Sequence, residues 1–147
     1  MDDYGRRVIL DMPFEQAMAV TRQAFRDEGL DVVMRFDVRD YLLRTLRHEC
    51  RRYQLLEALA PEWTLEALQH DSGIGPVLSV AVAIFELADG ETAVVASPPF
   101  APVLSDLAWR EATSALATIG DRASEQLARA LARLQRTACE SLPSVSS

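Results

Sequence analysis

The stretch VLSVAVAIFELADGETAVVAS, from Val77 to Ser97, decides how this chain folds. Val77 to Leu87 is apolar at nearly every position, which predicts a central strand of a sheet with both faces covered. Asp89-Gly90 follows, a dipeptide suited to the positive φ of a tight turn, and Thr92 to Ser97 returns as the partner of a hairpin. Ser97-Pro98-Pro99-Phe100-Ala101-Pro102 cannot extend that ladder, because three of its residues lack a backbone donor. The chain must turn there.

Upstream, Gly5 to Asp11 reads as a strand, and Pro13 sits where a helix start tolerates a missing N–H. Phe14, Ala17, Met18, Ala24 and Phe25 recur at helical spacing, and Gly29 supplies the left-handed stop. Val32, Met34 and Phe36 alternate as a second strand. Asp37 then caps a short helix with Leu42, Leu43 and Leu46 as its buried stripe. Tyr53 to Ala58 is a third strand. Pro61 opens a helix whose inward face is expected to include Leu65 and Leu68, and His70 to Pro76 is a loop.

Downstream, Leu107, Ala108, Ala112, Ala115, Leu116, Ile119, Ala123, Leu127, Ala130, Leu131 and Leu134 keep helical spacing. A straight helix from Leu104 to Leu134 would be about 47 Å long at 1.5 Å per residue. A compact domain of this size is only about 40 Å across. The helix is therefore expected to break near Gly120 or to reach onto a partner. Residues 1–138 are assigned to one domain and residues 139–147 to a disordered polar tail.

The 147 residues carry a formal charge of −7, which opposes binding to nucleic acid, because counterion release needs a basic face. All 15 basic residues are arginine, so there is no lysine for Schiff-base chemistry. The acidic start lacks the features of an export signal, and no apolar run approaches a membrane span. Cys50 and Cys139, without close spacing, suit free thiols in a reducing compartment, so the expected location is the cytoplasm.

The order of strand, Pro13-Phe14-Glu15-Gln16-Ala17 helix, Glu28-Gly29-Leu30 turn, Phe36-Asp37-Val38, Tyr53-Gln54-Leu55-Leu56 and Pro61 resembles the domain of unknown function 302 family. The likeness continues through the Gly73 and Gly75 loop, the apolar strand, the Asp-Gly hairpin and the terminal helix, spanning roughly Val8 to Leu134. The resemblance implies an α+β fold: an antiparallel sheet, here of about five strands, packed on helices with a long C-terminal helix. It also implies a dimer, and no established activity. Family members commonly carry Cys-Asn-Pro near the third strand and Leu-Pro-Cys entering the long strand. Leu59-Ala60-Pro61 and Leu78-Ser79-Val80 stand there instead, so any thiol or metal role of relatives is not expected here.

No catalytic constellation emerges. His48-Glu49-Cys50 offers two soft ligands where zinc needs three or four, so no metal or other cofactor is expected. No serine or cysteine has a base by motif, the Glu62 and Glu66 pair suits a solvated helix face, and Gly73-Ile74-Gly75 precedes a strand, not a helix. Against the negative total, Arg35, Arg39, Arg44, Arg47, Arg51 and Arg52 face only Asp37, Asp40 and Glu49. On a helix, Asp40, Arg44, Arg47 and Arg51 share one face opposite Leu42, Leu43 and Leu46, where arginine forks suit a small anion; a solvated or internally paired face is the plainer alternative. Trp63 and Trp109, with Phe14, Phe25, Phe36 and Phe85, either line a cleft or fill the core. The expectation is a non-catalytic homodimer, paired through the terminal helix or a sheet edge, that binds a small anionic or amphipathic molecule at Arg44, Arg47, Arg51 and Trp63. The alternatives are a degenerate relative of a thiol or sulfur-chemistry enzyme and a structural partner-binding protein.

Overall fold

The computed structural model describes residues 4–140. Its elements are β1 (Arg6–Leu10), α1 (Phe14–Asp27), β2 (Asp31–Asp37), α2 (Val38–Leu46), β3 (Tyr53–Leu59) and α3 (Pro61–His70). A 3-10 turn (Ser72–Val77), β4 (Val80–Ala88), β5 (Glu91–Ser97), α4 (Ala101–Leu104), α5 (Leu107–Ala112) and α6 (Ser114–Glu140) follow. The strands form one five-stranded sheet in the order β1-β5-β4-β3-β2. Every neighbouring pair is antiparallel. The fold is thus α+β with a long C-terminal helix.

The hairpin forms as its sequence predicts: Gly90 takes φ +77°, and β4 and β5 pair from Ala88 and Glu91 back to Ala81 and Ser97. β4 is the central strand, with Val77 left to the preceding turn. Successive strand residues point to opposite faces, so Val80, Val82 and Ile84 enter the core with Leu56, Ala58, Val94, Ala96, Val8 and Leu10. The buried sides of α1, α3 and α6 cover them, through Phe14, Ala17, Phe25, Trp63, Ala67, Ala123, Leu127 and Leu134 among others. β1 and β2 lie at opposite edges, so α1, which joins them, crosses the whole sheet on this face. The side chain of Thr92 donates from within the core to the Met12 carbonyl at 3.0 Å, tying the hairpin to the start of α1.

The expectation that both faces of the central strand are covered fails. Ala81 is exposed and Ala83, Phe85 and Leu87 are only half-buried. The register aligns Phe36, Leu55, Ala83, Val95 and Arg7 in one row of this second face, and Tyr53, Phe85, Ala93 and Ile9 in the next. Among the described residues no helix layer lies over these rows. The simple alternation expected of β2 fails as well, because a bulge between Val32 and Met34 turns Met34 and Phe36 onto the open face.

Three helix expectations are also corrected. In α2 no residue is buried: Leu43 is exposed and Leu46 is 72% exposed, because this helix packs mainly on β3 at the margin of the sheet. In α3 the inward residues are Trp63 and Ala67, on nearly the opposite side of the helix from Leu65 and Leu68, which are exposed. The terminal segment does not break at Gly120. It breaks earlier, at Ser105–Asp106, where Asp106 caps α5, and at Thr113, leaving α6 continuous to Glu140. Gly120 sits inside α6 because a Cβ there would lie 2.7 Å from the ring of Phe100 and 2.9 Å from Leu104. Phe100 is fully buried with φ +62°, turning the chain after β5 so that its ring fills the space over Gly120. Cys139 and Glu140, assigned above to the tail, are helical; residues 141–147 of that tail lie outside the described residues.

Candidate functional site

The arginine face does not assemble as its spacing predicts. α2 ends at Leu46, and Arg47 adopts the left-handed conformation at its C-cap, with φ +52°. Only Asp40 and Arg44 keep the helical relation, as an exposed pair at 2.9 Å, with the Asp37 carboxylate accepting from the Asp40 N–H at the start of the same helix. Arg51 lies beyond the turn, 3.8 Å from Asp89. Arg52 contacts Glu15 and stacks over the Phe14 ring at 4.3 Å, a cation–π contact that anchors β3 to α1. Trp63 is elsewhere: it follows the far end of β3, is buried beneath α6, and donates to Gln126 at 2.9 Å. The four sequence-predicted ligand residues therefore stand in separate places: three around one end of β3, and one in the core past the other end.

Trp63 belongs to a structural clasp. Gln126 accepts from the indole and donates to the Glu28 carbonyl, while Arg133 and Arg129 reach the Glu28 carboxylate at 2.7 and 3.3 Å. The hydrogen bond from Arg133, with further help from Arg129, holds the Glu28 carboxyl below the usual carboxylate range against the opposing effect of burial. Asp121 likewise raises the Arg110 guanidinium through a two-pronged pair at 2.7 and 3.2 Å. Both groups pin α6 in place, and Arg133 also borders a hollow of about 250 Å³ between α1 and α6, whose walls include Gln23, Asp27, Arg136 and Glu140.

A hollow of about 440 Å³ lies on the open face of the sheet, and a larger, shallower and polar one of about 580 Å³ lies between Arg39, Cys50, Arg51 and Asp89. The floor of the hollow on the open face is Ala81 and Ala83 of β4, with Val95 and Ser97 of β5 beside them. It is hollow because β4 alternates large residues into the core with small ones onto this face: Val80, Val82 and Ile84 against Ala81 and Ala83. The walls are larger. Tyr53 and Phe85 stack at one end, ring centroids 5.0 Å apart and planes within 10°. Leu55 and Glu57 stand on the β3 side, and Tyr4 and Arg7 on the β1 side. At the margin Phe36 meets the Tyr41 ring of α2 at 5.5 Å, which joins the uncovered stripe of α2 to the open face.

Sequence reasoning missed this surface. The signal was the Val-Ala-Val-Ala-Ile-Phe run, whose alternation in size, not polarity, marks two apolar faces of different shape. Of the expected aromatics, Phe14, Phe25 and Trp63 are core, while Phe36 and Phe85 belong to the open face. Trp109 is half-buried and tilted against Phe100 at 6.3 Å. Cys50 is a half-buried free thiol and Cys139 an exposed one. Among the described residues no three His, Cys, Asp or Glu side chains gather as metal ligands, and no helix is long and apolar enough to cross a membrane.

Comparison with known proteins agrees with the fold. The family described as Domain of unknown function DUF302 matches residues 6–134. A crystal structure of an uncharacterized conserved DUF302 protein from Bacillus stearothermophilus superposes with a TM-score of 0.72 at 18% identity. The match covers 90% of this chain and 99% of that one. No curated protein matches the sequence.

Proposed function

We propose, from the premise that the chain belongs to the domain of unknown function 302 family, that it works as a homodimeric binding module in which a second copy covers the open face of the sheet. The observation that carries this reading is the apolar second face of a five-stranded sheet, with Met34 57%, Phe36 47% and Leu55 44% exposed. Soluble monomers rarely leave contiguous apolar patches of more than a few hundred Å² uncovered. From strand spacing and rise, five strands of this length present about 550 Å². The stripe of α2, with Tyr41, Leu43 and Leu46, extends that area toward the ~800 Å² per partner of a standard interface.

A two-fold pair suits the patch because each copy offers the same surface to the other. Like-charged copies repel, and the rows of this face carry Arg7 and Glu57, of opposite sign, among apolar residues. The pairing surface is thus the sheet face, in place of the terminal helix or a sheet edge. Two free thiols suit a reducing compartment, and the reading places the protein in the cytoplasm. Ligand binding by the module is supported by the hollow on this face more than by Arg44, Arg47, Arg51 and Trp63, which do not converge.

Light scattering after size exclusion tests the pairing. The native chain should have twice the mass of one chain, and Leu55→Arg should give a folded monomer, because it buries two unpaired cations at the centre of a symmetric interface. A native monomer, or a dimer indifferent to both Leu55→Arg and Met34→Glu, would overturn it.

A further inference from the structure

We infer that the hollow over Ala81 and Ala83 is a binding site for an amphipathic carboxylate, whose flat or extended apolar body lies on the alanine floor and whose head group meets Arg7. The site lies on the surface assigned above to the second copy, and to that extent it rests on the pairing reading: paired faces would enclose what a single chain leaves open.

Four observations converge. The volume of about 440 Å³ falls within the range of small-molecule sites. Its floor is mainly the methyl groups of Ala81 and Ala83 on rigid strands, so an apolar body has little to desolvate there beyond the Ser97 hydroxyl. The stacked Tyr53 and Phe85 rings form a wall against which an aromatic edge or an acyl chain packs, with the Tyr53 hydroxyl as a polar handle. Arg7 sits two strands from β4 in the same row as Ala83. By strand spacing and rise its Cα lies on the order of 12 Å from that of Phe85. That is the span of a short amphipathic molecule plus the reach of the arginine side chain.

The polar groups set the class. Arg7 makes an interaction of its own within the chain, so a head group would share this cation, whose guanidinium carries five N–H donors in all. A carboxylate matches the fork of a guanidinium with two parallel hydrogen bonds. Glu57, across the hollow on β3, disfavours a second anionic group at the far end, so the ligand carries one negative head and an apolar tail. The arginine region offers no such floor: one hollow there mixes Asp37, Arg39, Asp40 and Arg52 with Leu43, Tyr53 and Gln54, and the other is bordered by Arg39, Arg51, Glu49, Glu86 and Asp89.

The test is titration calorimetry on the full chain with 2-naphthoate and decanoate, and with 2-naphthylmethanol as the neutral control. Saturable binding of at least one carboxylate is expected, and which of them binds distinguishes an aromatic from an acyl ligand. Ala83→Leu fills the floor and should weaken binding about tenfold or more, as overpacking a formed site does. Ala81→Leu is the second filling variant, so a folding defect in one, seen by circular dichroism, leaves the other to decide. Arg7→Gln should weaken the carboxylate about tenfold and leave the alcohol unchanged, since only the charged head loses a charge-assisted pair. The site is overturned if neither carboxylate binds at millimolar concentration, if folded filling variants bind as well as the native chain, or if Arg7→Gln affects acid and alcohol alike. Mass measured on the same samples separates the two readings. A monomer that binds ends the pairing and leaves the site standing, whereas a dimer that binds nothing ends the site alone.

Discussion

Leu55 and Leu56 are neighbours on β3 with the same side chain, and they lie in opposite environments: Leu56 is 1% exposed under the helices, Leu55 is 44% exposed on the far face. The two faces of the sheet differ in what covers them more than in polarity. α1 joins the two edge strands and so must cross one face, α3 and α6 pack beside it, and α4 and α5 pack with α6; among the described helices α2 meets the margin of the other face. With nine residues and an arginine in the left-handed cap, α2 ends before it can span the strands. The lesson is that an apolar strand residue is not evidence of a covered face. Topology allots the cover, and a face left apolar without it points to a partner or a ligand.

The largest expected effect breaks the comparison on its covered side. Leu56→Ala should lower unfolding stability by about 2–5 kcal/mol in chemical denaturation, the range for emptying a packed core position. Leu55→Ala, one residue along, should change the stability of the isolated chain by less than about 0.5 kcal/mol, as surface substitutions do. It should act on association instead. Equal losses from the two would mean that the open face is already buried within one chain.

A second substitution sharpens the account of the covered face at its tightest point. Gly120→Ala places a methyl against Phe100 and Leu104, and overpacking of this kind costs about 1–3 kcal/mol. A melting temperature equal to that of the native chain would show that the α4 segment yields freely.

The smallest effect concerns the clasp that holds α6 over the covered face. Arg133 and Arg129 depress the Glu28 carboxyl from its ordinary 4.5, so the carboxylate contributes stability that is present above that value and lost as pH falls through the lower folded-state value. Glu28→Gln should therefore melt below the native chain at pH 7, and the difference should shrink as pH drops below about 4.5. A gap that is constant from pH 7 to pH 3 would remove the ion pairs from the explanation.

Much of the covered face was legible. The period of α1, its stop at Gly29, the Asp-Gly hairpin and the Asp37 cap are local events, set by φ preferences and by hydrogen bonds between near neighbours in the chain. The helix after Leu104 was legible in its period and not in its breaks. Asp106 caps α5 by accepting from the Trp109 N–H, a break that apolar spacing alone does not mark. The candidate site was less legible, because a hollow is made by residues from four strands that meet only through register. Arg7, Leu55, Ala83 and Val95 form one row across β1, β3, β4 and β5, with no mark in the chain that they are neighbours.

By itself the order of residues determined which segments are strands, which are helices apart from the breaks after Leu104, where the hairpin turns, and membership of a family without an assigned chemistry, since each follows from short-range sterics and repeating apolar periods. Only the tertiary structure decided which side of each strand is covered. The bulge at Val32 and Met34 reverses the facing of half a strand, and one short helix fails to span a sheet. Burial is a property of what lies opposite, and no residue carries that in its own side chain.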